Sequence, residues 1–577
     1  MVALLLTLSM SALAQVTTSS MSGKVTLEGS GEEIIGATVV AVHEPSGTRY
    51  NAVTNVNGLF SIQGMRTGGP YSVTVSYIGY QTKTFRGITL QLAETYNLPV
   101  WLNENVNDLA EIVITGTASK FSQEKTGAAT NITAAQITAL PTVSRSITDV
   151  TRLSPYGGNG MSFAGSDGRT ANFTVDGANF NNNFGLSDKL PGGGNPISID
   201  AIEELQVVIS PYDVRQTNFI GGGVNAITKS GTNTFKGTAY VYHRNENIRG
   251  DVVNNVQLPT AREKDRQTTY GFTLGGPIIK DKLFFFTSGE MIKTPTIPTA
   301  WRGSENGKAD ATKSLSRTTL SDLEAVSNYM ASTYGYNTGS WTSFPADESN
   351  YKLLARLDWN INDQHHLALR YNYTKNTIWN APNATSMDGG TRMSGARMSQ
   401  YSMSFANSLY SMDNLVHSWS LDLNSRLSEN LSNQFLATFS KLDDVRGSNS
   451  SPFPFIDITK EDNNYMALGY ELFTWNNAVH NTIWNIKDDI TYYMGKHKIT
   501  TGAMFEHQMA DNQYMRNGTG YYRFNITDDM YGANGVLNPA LLFNSTPEVF
   551  CMTYGYNNAC RRAASLPPGG HTCKKLS

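Results

Sequence analysis

The sequence predicts an all-β-dominated chain whose C-terminal half is a transmembrane antiparallel β-barrel. Three observations carry this expectation. Aromatic residues are unevenly spread, with 16 among residues 1–231 and 44 among residues 232–577. Runs in the second part alternate with a period of two, one face apolar and aromatic, the other small or polar. No internal apolar run reaches the ~18 residues of a membrane-crossing helix. A sheet crosses a bilayer only when it closes on itself, because hydrocarbon offers its edges no hydrogen-bond partner.

The length of 577 residues calls for several folding units. Charged residues are 16% of the chain, below the roughly 25% of soluble domains. A net charge of −3 and a pI near 6.3 give no support for nucleic-acid binding. The three cysteines, Cys551, Cys560 and Cys573, lie near the C-terminus, so no disulfide scaffold supports the preceding residues. Residues 1–14 read as a signal peptide. Ala12-Leu13-Ala14 gives a small-x-small cleavage pattern between Ala14 and Gln15, and the missing basic n-region places the natural start upstream.

Residues 21–103 read as a small β-sandwich. Candidate strands cover 22–27, 37–43, 49–54, 59–62, 71–77 and 81–85, and Asn57-Gly58 suits a tight hairpin. In residues 104–120, a polar linker, the run Glu111-Ile112-Val113-Ile114-Thr115-Gly116 is a short β-former. It reads either as the last strand of the sandwich or as an exposed segment that adds to the sheet edge of a partner.

Residues 121–231 mix helix and strand signals. A short helix over 132–140 is capped at Thr133 and stopped by Pro141. Residues 171–177 run into an Asp176-Gly177 turn, and 199–209 read as a turn leading into a strand. Gly221 to Lys229 lacks the second Gly of a phosphate loop.

Beyond residue 232 the alternation is explicit. Tyr270, Phe272 and Leu274 oppose Gly271, Thr273 and Gly275; Leu353, Leu357 and Trp359 oppose Arg356, Asp358 and Asn360. Leu367, Leu369 and Tyr371 oppose Arg370 and Asn372; Tyr401, Met403, Phe405 and Leu409 oppose Ser402, Ser404 and Ser408; Leu415, Trp419 and Leu421 oppose Ser418, Ser420 and Asp422. At about 9–11 residues per membrane strand, residues 234–548 hold about 10–14 strands. The stretch 549–577 shows no alternation and reads as an aberrant tail. An open sheet made of this chain alone is expected not to insert stably, because its edges stay unpaired in lipid.

These segments also resemble known modules. Gly23-Lys24-Val25, Ile35-Gly36-Ala37-Thr38-Val39, Thr54 to Phe60 and Tyr77-Ile78-Gly79-Tyr80 resemble the carboxypeptidase-regulatory-like domain. That resemblance implies a seven-stranded, transthyretin-like sandwich with a carbohydrate-binding-like fold, here an accessory module without a protease. Residues 111–116 resemble the TonB box. Phe173 to Gly177, Ile202-Glu203-Glu204-Leu205-Gln206-Val207 and Gly223-Val224-Asn225-Ala226-Ile227-Thr228-Lys229 are similar to a receptor plug domain, with Asp176, Gly177, Glu203, Glu204, Gly223, Asn225 and Lys229 as landmarks. Tyr270 to Phe286 looks like the Oar-like subfamily of TonB-dependent receptors.

The resemblance implies a 22-stranded barrel around a plug in the Gram-negative outer membrane, with the sandwich in the periplasm. TonB, with ExbB and ExbD, would engage residues 111–116 by strand addition and energise transport of a large extracellular ligand: a glycan, a peptide or protein, or a chelate. No cofactor, metal or catalytic residue is expected, and the chain is not read as an enzyme. Two other readings stay open: a glycan-binding or adhesion protein without transport, and a secretion or signalling receptor. The adjacent pair His365-His366 is read as lying near a periplasmic turn, and Asp443-Asp444 and Asp488-Asp489 as solvated or lumenal charges.

Overall fold

The computed structural model describes residues 16–104, 112–115, 128–142, 145–181, 190, 195–210, 213–216, 220–248, 250, 252–257, 266–296, 301–344, 346–383, 395–554 and 557–562. The candidate cleavage site Ala14/Gln15 lies outside them, as do Glu111 and Gly116.

The N-terminal unit is a two-sheet sandwich. Strands β1 (Ser19–Leu27), β4 (Leu59–Met65), β7 (Thr95–Asn97) and β8 (Val100–Leu102) form one sheet. Strands β2 (Thr38–His43), β3 (Thr48–Val53), β5 (Gly68–Ser76), β6 (Lys83–Leu90) and β9 (Ile112–Thr115) form the other, in the order β3-β2-β5-β6-β9. Alternation does what the pattern predicts: Val39, Ala41, Val73 and Val75 from one sheet and Met21, Val25 and Phe60 from the other share one core. The Asn57-Gly58 turn differs from expectation. Asn55 caps it by accepting from the N–H groups of Asn57 and Leu59 (2.9 and 3.1 Å), and Gly58 takes φ +66°. Yet β3 pairs with β2 and β4 with β1, so the turn crosses between sheets instead of closing a hairpin.

The second unit is a mixed sheet ordered β10-β13-β14-β11-β12, built from β10 (Ala128–Thr133), β11 (Asn172–Val175), β12 (Ala178–Asn179), β13 (Ile202–Ser210) and β14 (Gly223–Thr228). Helix α1 (Ala134–Ala139) follows its N-cap Thr133 directly, as read from sequence. Residues 221–229 are largely strand β14, not a phosphate loop.

The third unit is the wall. Nine long antiparallel strands lie side by side: Lys236–Arg244, Gln267–Ile279, Leu283–Thr296, Ala346–Asn360, His365–Asn380, Tyr410–Arg426, Leu431–Gly447, Ala478–Met494 and His497–Gln513. The apolar face points outward, with Phe272 at 45%, Leu353 at 42% and Trp359 at 47% exposure, while Arg356, Asp358, Arg370 and Asp422 are buried on the inner face. Among the described residues the wall has nine strands, fewer than the 10–14 read from sequence. Its first and last strands do not pair with each other.

The shortfall has a physical cause. Several alternating runs are spent on a separate head built from the long loops. There Met403–Ser404, Phe455–Lys460, Asn463–Leu468, Tyr521–Ile526, Val549–Tyr554 and Asn557–Arg562 form a six-stranded sheet. It packs on helix Leu320–Tyr334 through Leu323, Val326, Met330, Phe405 and Ile458. Residues 401–409, expected as a wall strand, therefore have both Met403 and Ser404 buried. Residues 549–554 and 557–562, expected to lack regular structure, pair as an antiparallel hairpin, and residues 563–577 lie outside the described ones.

Short turns join the wall strands at one end only, around residues 280–282, 361–364, 427–430 and 495–496. The sandwich sits at that end. Asn360 donates to Thr48 Oγ1 (3.0 Å), Asn55 to the Gly495 carbonyl (3.0 Å), and the Asn233 N–H to the Pro45 carbonyl (2.8 Å). The mixed sheet fills the space inside the wall, where Phe173, Val175 and Val224 share a core with the inward Phe286, Leu354, Val416 and Ile483.

Gly271 lets the Tyr240 ring lie across its strand, where a Cβ would collide with the ring. Replacing Gly271 with Ala should displace Tyr240 from Glu290 and lower stability by about 1–3 kcal/mol, read from denaturant unfolding in detergent.

Candidate functional site

The mixed sheet is held by three polar seams, and each follows from residue types placed at strand ends. The first is built on Asp176, the turn residue between β11 and β12, with φ +50°. Its carboxylate accepts from the Thr228 N–H (3.0 Å) and Oγ1 (2.7 Å), and its carbonyl accepts from Ser420 of the wall (3.0 Å). Arg370 Nε approaches to 3.4 Å and Arg356 to 4.0 Å. Arg356 is itself clamped by Asp358 through two bonds of 2.9 and 2.8 Å. Asp176 is thus a turn residue, as the plain reading had it, and also the sheet's main ionic contact with the wall.

The second seam joins the sheet to the first wall strands. Lys352 and Glu290 pair at 2.7 Å, both 2% exposed. Glu290 also accepts from Tyr240 (2.9 Å) and Ser198 (3.1 Å), and Arg145 lies 3.8 Å away. Arg145 pairs with Asp200 and stacks over Tyr240 and Tyr242.

The third seam joins the sheet to the sandwich through the backbone of Leu92. Its N–H donates to both oxygens of Glu204 (3.0 and 2.9 Å). Its carbonyl accepts from Asn131 (3.0 Å) and Gln206 (2.9 Å). Burial pushes the Glu204 carboxyl up to about 8, and the nearby carboxylates of Glu203 and Glu94 push the same way, while the Leu92 N–H it accepts pulls it down.

The landmark residues read from sequence divide by role. Asp176 and Glu204 each hold a seam, and Gly177 packs in the turn against Leu436 of the wall and Thr17. Glu203 faces the sandwich turn at Gly68, and Lys229 follows β14 at the same junction. Gly223 opens β14, and Asn225 donates to the Val16 carbonyl (2.6 Å) while accepting from Thr174 (3.0 Å). Of the candidate box, Ile112, Val113, Ile114 and Thr115 pair in parallel with Lys83, Thr84, Phe85 and Arg86, so this stretch forms the edge strand of the sandwich. That is the alternative the sequence left open.

Sequence reasoning missed Leu92, which acts through its backbone, and Arg66, which donates to Ser230 (3.2 Å) from the sandwich. Asp443 pairs with His480 (2.7 Å) and Asp489 with Lys487 (2.6 Å). The His366 ring packs at a tilt of 48° against Tyr50 of the sandwich, with ring centroids 4.9 Å apart, at the short-turn end. The one His-x-x-Glu spacing, His243 and Glu246, lies at the loop end of a wall strand, where Arg266 approaches Glu246. Among the described residues no group of three or more His, Cys, Asp or Glu converges as a metal site.

Two outcomes are expected. Lys352→Met leaves Glu290 without its closest partner and should cost about 3–5 kcal/mol, whereas the double variant Lys352→Met/Glu290→Gln should recover most of the loss in denaturant unfolding. The second concerns pH. Burial at this junction holds the Glu204 carboxyl up to about 8, above its ordinary 4.5. The raised value means docking is strongest below about pH 4.5 and weakens as pH climbs through about 8. Protease protection of the junction between the sandwich and the mixed sheet should fall across that window, and Glu204→Gln should flatten the dependence.

Comparison with known proteins agrees with this architecture. Residues 227–546 match the family model described as outer membrane beta barrel domain, more than half of the chain. Residues 20–103 match the carboxypeptidase regulatory-like domain. Among curated proteins the chain is similar to the TonB-dependent transporter Oar of Myxococcus xanthus, 25% identical over 238 residues, which is 40% of this chain and 21% of that protein. Among solved structures it is similar to the outer membrane transporter YddB of Escherichia coli (12% identity, TM-score 0.47, 75% of this chain and 52% of that one). It is also similar to the siderophore receptor PirA of Acinetobacter baumannii (18% identity, TM-score 0.41, 66% and 48%). The chain spans about a fifth of the curated relative and about half of these two structures. With a wall that turns its apolar face outward and a matching model over most of that wall, the chain belongs to the outer-membrane β-barrel family and carries an N-terminal carboxypeptidase-regulatory-like domain.

Proposed function

We propose that this chain is part of a TonB-dependent outer-membrane receptor that moves a large ligand across the outer membrane under energy supplied from the inner membrane. The observation that carries the reading is a folded plug seated inside the wall, with a short β-former beside it at the short-turn end. The similarity to a TonB-dependent transporter supports it. The ligand class stays broad: a glycan, a peptide or protein, or a chelate.

The chain suggests how a pull would reach the plug. Residues 112–115 hold to β6 by a four-residue parallel pairing, a small contact to strip or extend by strand addition. Twelve residues (116–127) separate them from β10, the edge strand of the plug sheet, which among the described residues pairs only with β13. Tension on 112–115 therefore arrives first at β10. Peeling β10 from β13 removes Asn131 from the Leu92 carbonyl and so loosens the third seam, whose other contacts from Glu204 and Gln206 lie on β13, before the two wall seams are touched. No covalent step is involved.

A second reading has an observation of its own. As edge strand of the sandwich, 112–115 also serves as a structural element, which fits a binding or adhesion protein without transport. Deleting residues 111–116 separates the two. For a TonB-dependent receptor, capture by the purified C-terminal domain of the host's TonB should vanish while the sandwich keeps its melting temperature within a few degrees. No capture of the undeleted chain, with the deleted chain's sandwich melting well below wild type, would establish the structural role and overturn the transport reading.

A further inference from the structure

A cavity of about 390 Å³ lies where the sandwich, the plug and the wall meet. Its lining mixes apolar surface with a cluster of charged side chains. Arg66 comes from the sandwich, Lys229 from the plug, and Lys236, Arg356 and Arg370 from the wall. Against these stand Glu203, Asp358 and Asp422, with Asp176 reaching Arg370 from the plug turn.

The charges are unequally satisfied. Arg356 is clamped by Asp358, and Arg66 donates to Ser230 and stacks over Phe284. Arg370 is different. Its side chain is only 6% exposed, yet Nε and Nη1 make no hydrogen bond among the described residues. The carboxylates of Asp176 and Asp422 stand off at 3.4 and 3.7 Å. His366 Nε2 and Asn424 Oδ1, on the same lining, also make no hydrogen bond among the described residues. Lys229 and Lys236 form no ion pair among the described residues, and burial raises the Glu203 carboxyl, which weakens the one carboxylate that faces them. A buried guanidinium with unused donors is costly unless something fills them.

We propose that this cavity binds a small oxyanion, a phosphate or carboxylate group, with Arg370 as its principal donor and Lys229 closing the site from the plug. A planar guanidinium with free N–H groups matches such an anion, and the cavity has room for it with its hydration, a water occupying about 30 Å³. The site is assembled from three separate units. A bound oxyanion would therefore bridge plug to wall and favour the seated arrangement by mass action. The inference does not depend on the transport reading.

The test uses the 577-residue chain folded in zwitterionic detergent. Inorganic phosphate and acetate are titrated separately, with calorimetry and thermal melting as readouts. Saturable binding of either is expected, weakened roughly tenfold by Arg370→Gln and severalfold by Lys229→Gln. Lys313→Gln, on a distant loop, should bind as wild type. Binding of phosphate alone would assign a phosphoryl group as the natural occupant; binding of both would extend the site to carboxylates. If Arg370→Gln fails to fold, Lys229→Gln, at a half-buried position without an ion pair, decides alone. Absence of saturable binding by both anions would mean that water alone fills the cavity. Binding indifferent to the folded variants would place the anion elsewhere. Either result overturns the proposal.

Discussion

Every level of this protein depends on one constraint: in hydrocarbon a backbone N–H or C=O that lacks an internal partner has none. That constraint selects long antiparallel strands paired without interruption, such as the sixteen consecutive pairs between His365–Asn380 and its neighbour. Pairing fixes the two-residue alternation, and alternation puts an apolar face in lipid and a polar face inside. The polar interior, in turn, requires a polar filling. Asp176, Glu290 and Asp422 are tolerated at about 5% exposure or less because arginine, lysine, tyrosine and backbone groups meet them there.

The filling is anchored by chemistry that differs from seam to seam. Two seams tie the mixed sheet to the wall through charged side chains, Arg370 beside Asp176 (3.4 Å) and Arg145 beside Glu290 (3.8 Å). The third ties it to the sandwich through a backbone amide and a raised carboxyl, a contact sensitive to proton activity instead of to charge alone.

Much of the fold was legible because its signals are local. The inward Arg356, Asp358, Arg370 and Asp422 were placed on a polar face from alternation alone. Thr133 marked its helix start, and the sandwich strands announced themselves by turns and β-branched runs. The failures were non-local. Residues 401–409 alternate as well as any wall strand, and only their packing against helix Leu320–Tyr334 and its neighbours takes them out of the wall. The Asn57-Gly58 turn has hairpin chemistry but joins strands of different sheets, which depends on β1 lying beside β4. Leu92 holds a seam with its backbone, and a backbone role leaves no trace in residue type. The segment 112–115 was ambiguous because extended, β-branched sequence suits either a partner's sheet or its own.

The residues before β1 carry a consequence for how the molecule is made. Thr17 Oγ1 donates to Asp422 (2.6 Å) and accepts from Gln434 (2.8 Å), and the Val16 carbonyl receives Asn225. The first two contacts close loops of 405 and 417 residues. Loops of that size are slow to close, and these wait on wall strands that are synthesised hundreds of residues later. The sandwich, whose partners are mostly within eighty residues, completes early, while its own leading segment is still unattached. Assembly therefore does not follow chain order: the sandwich completes from nearby partners, and residues 16 and 17 reach theirs only once the wall strands that carry Asp422 and Gln434 are in place.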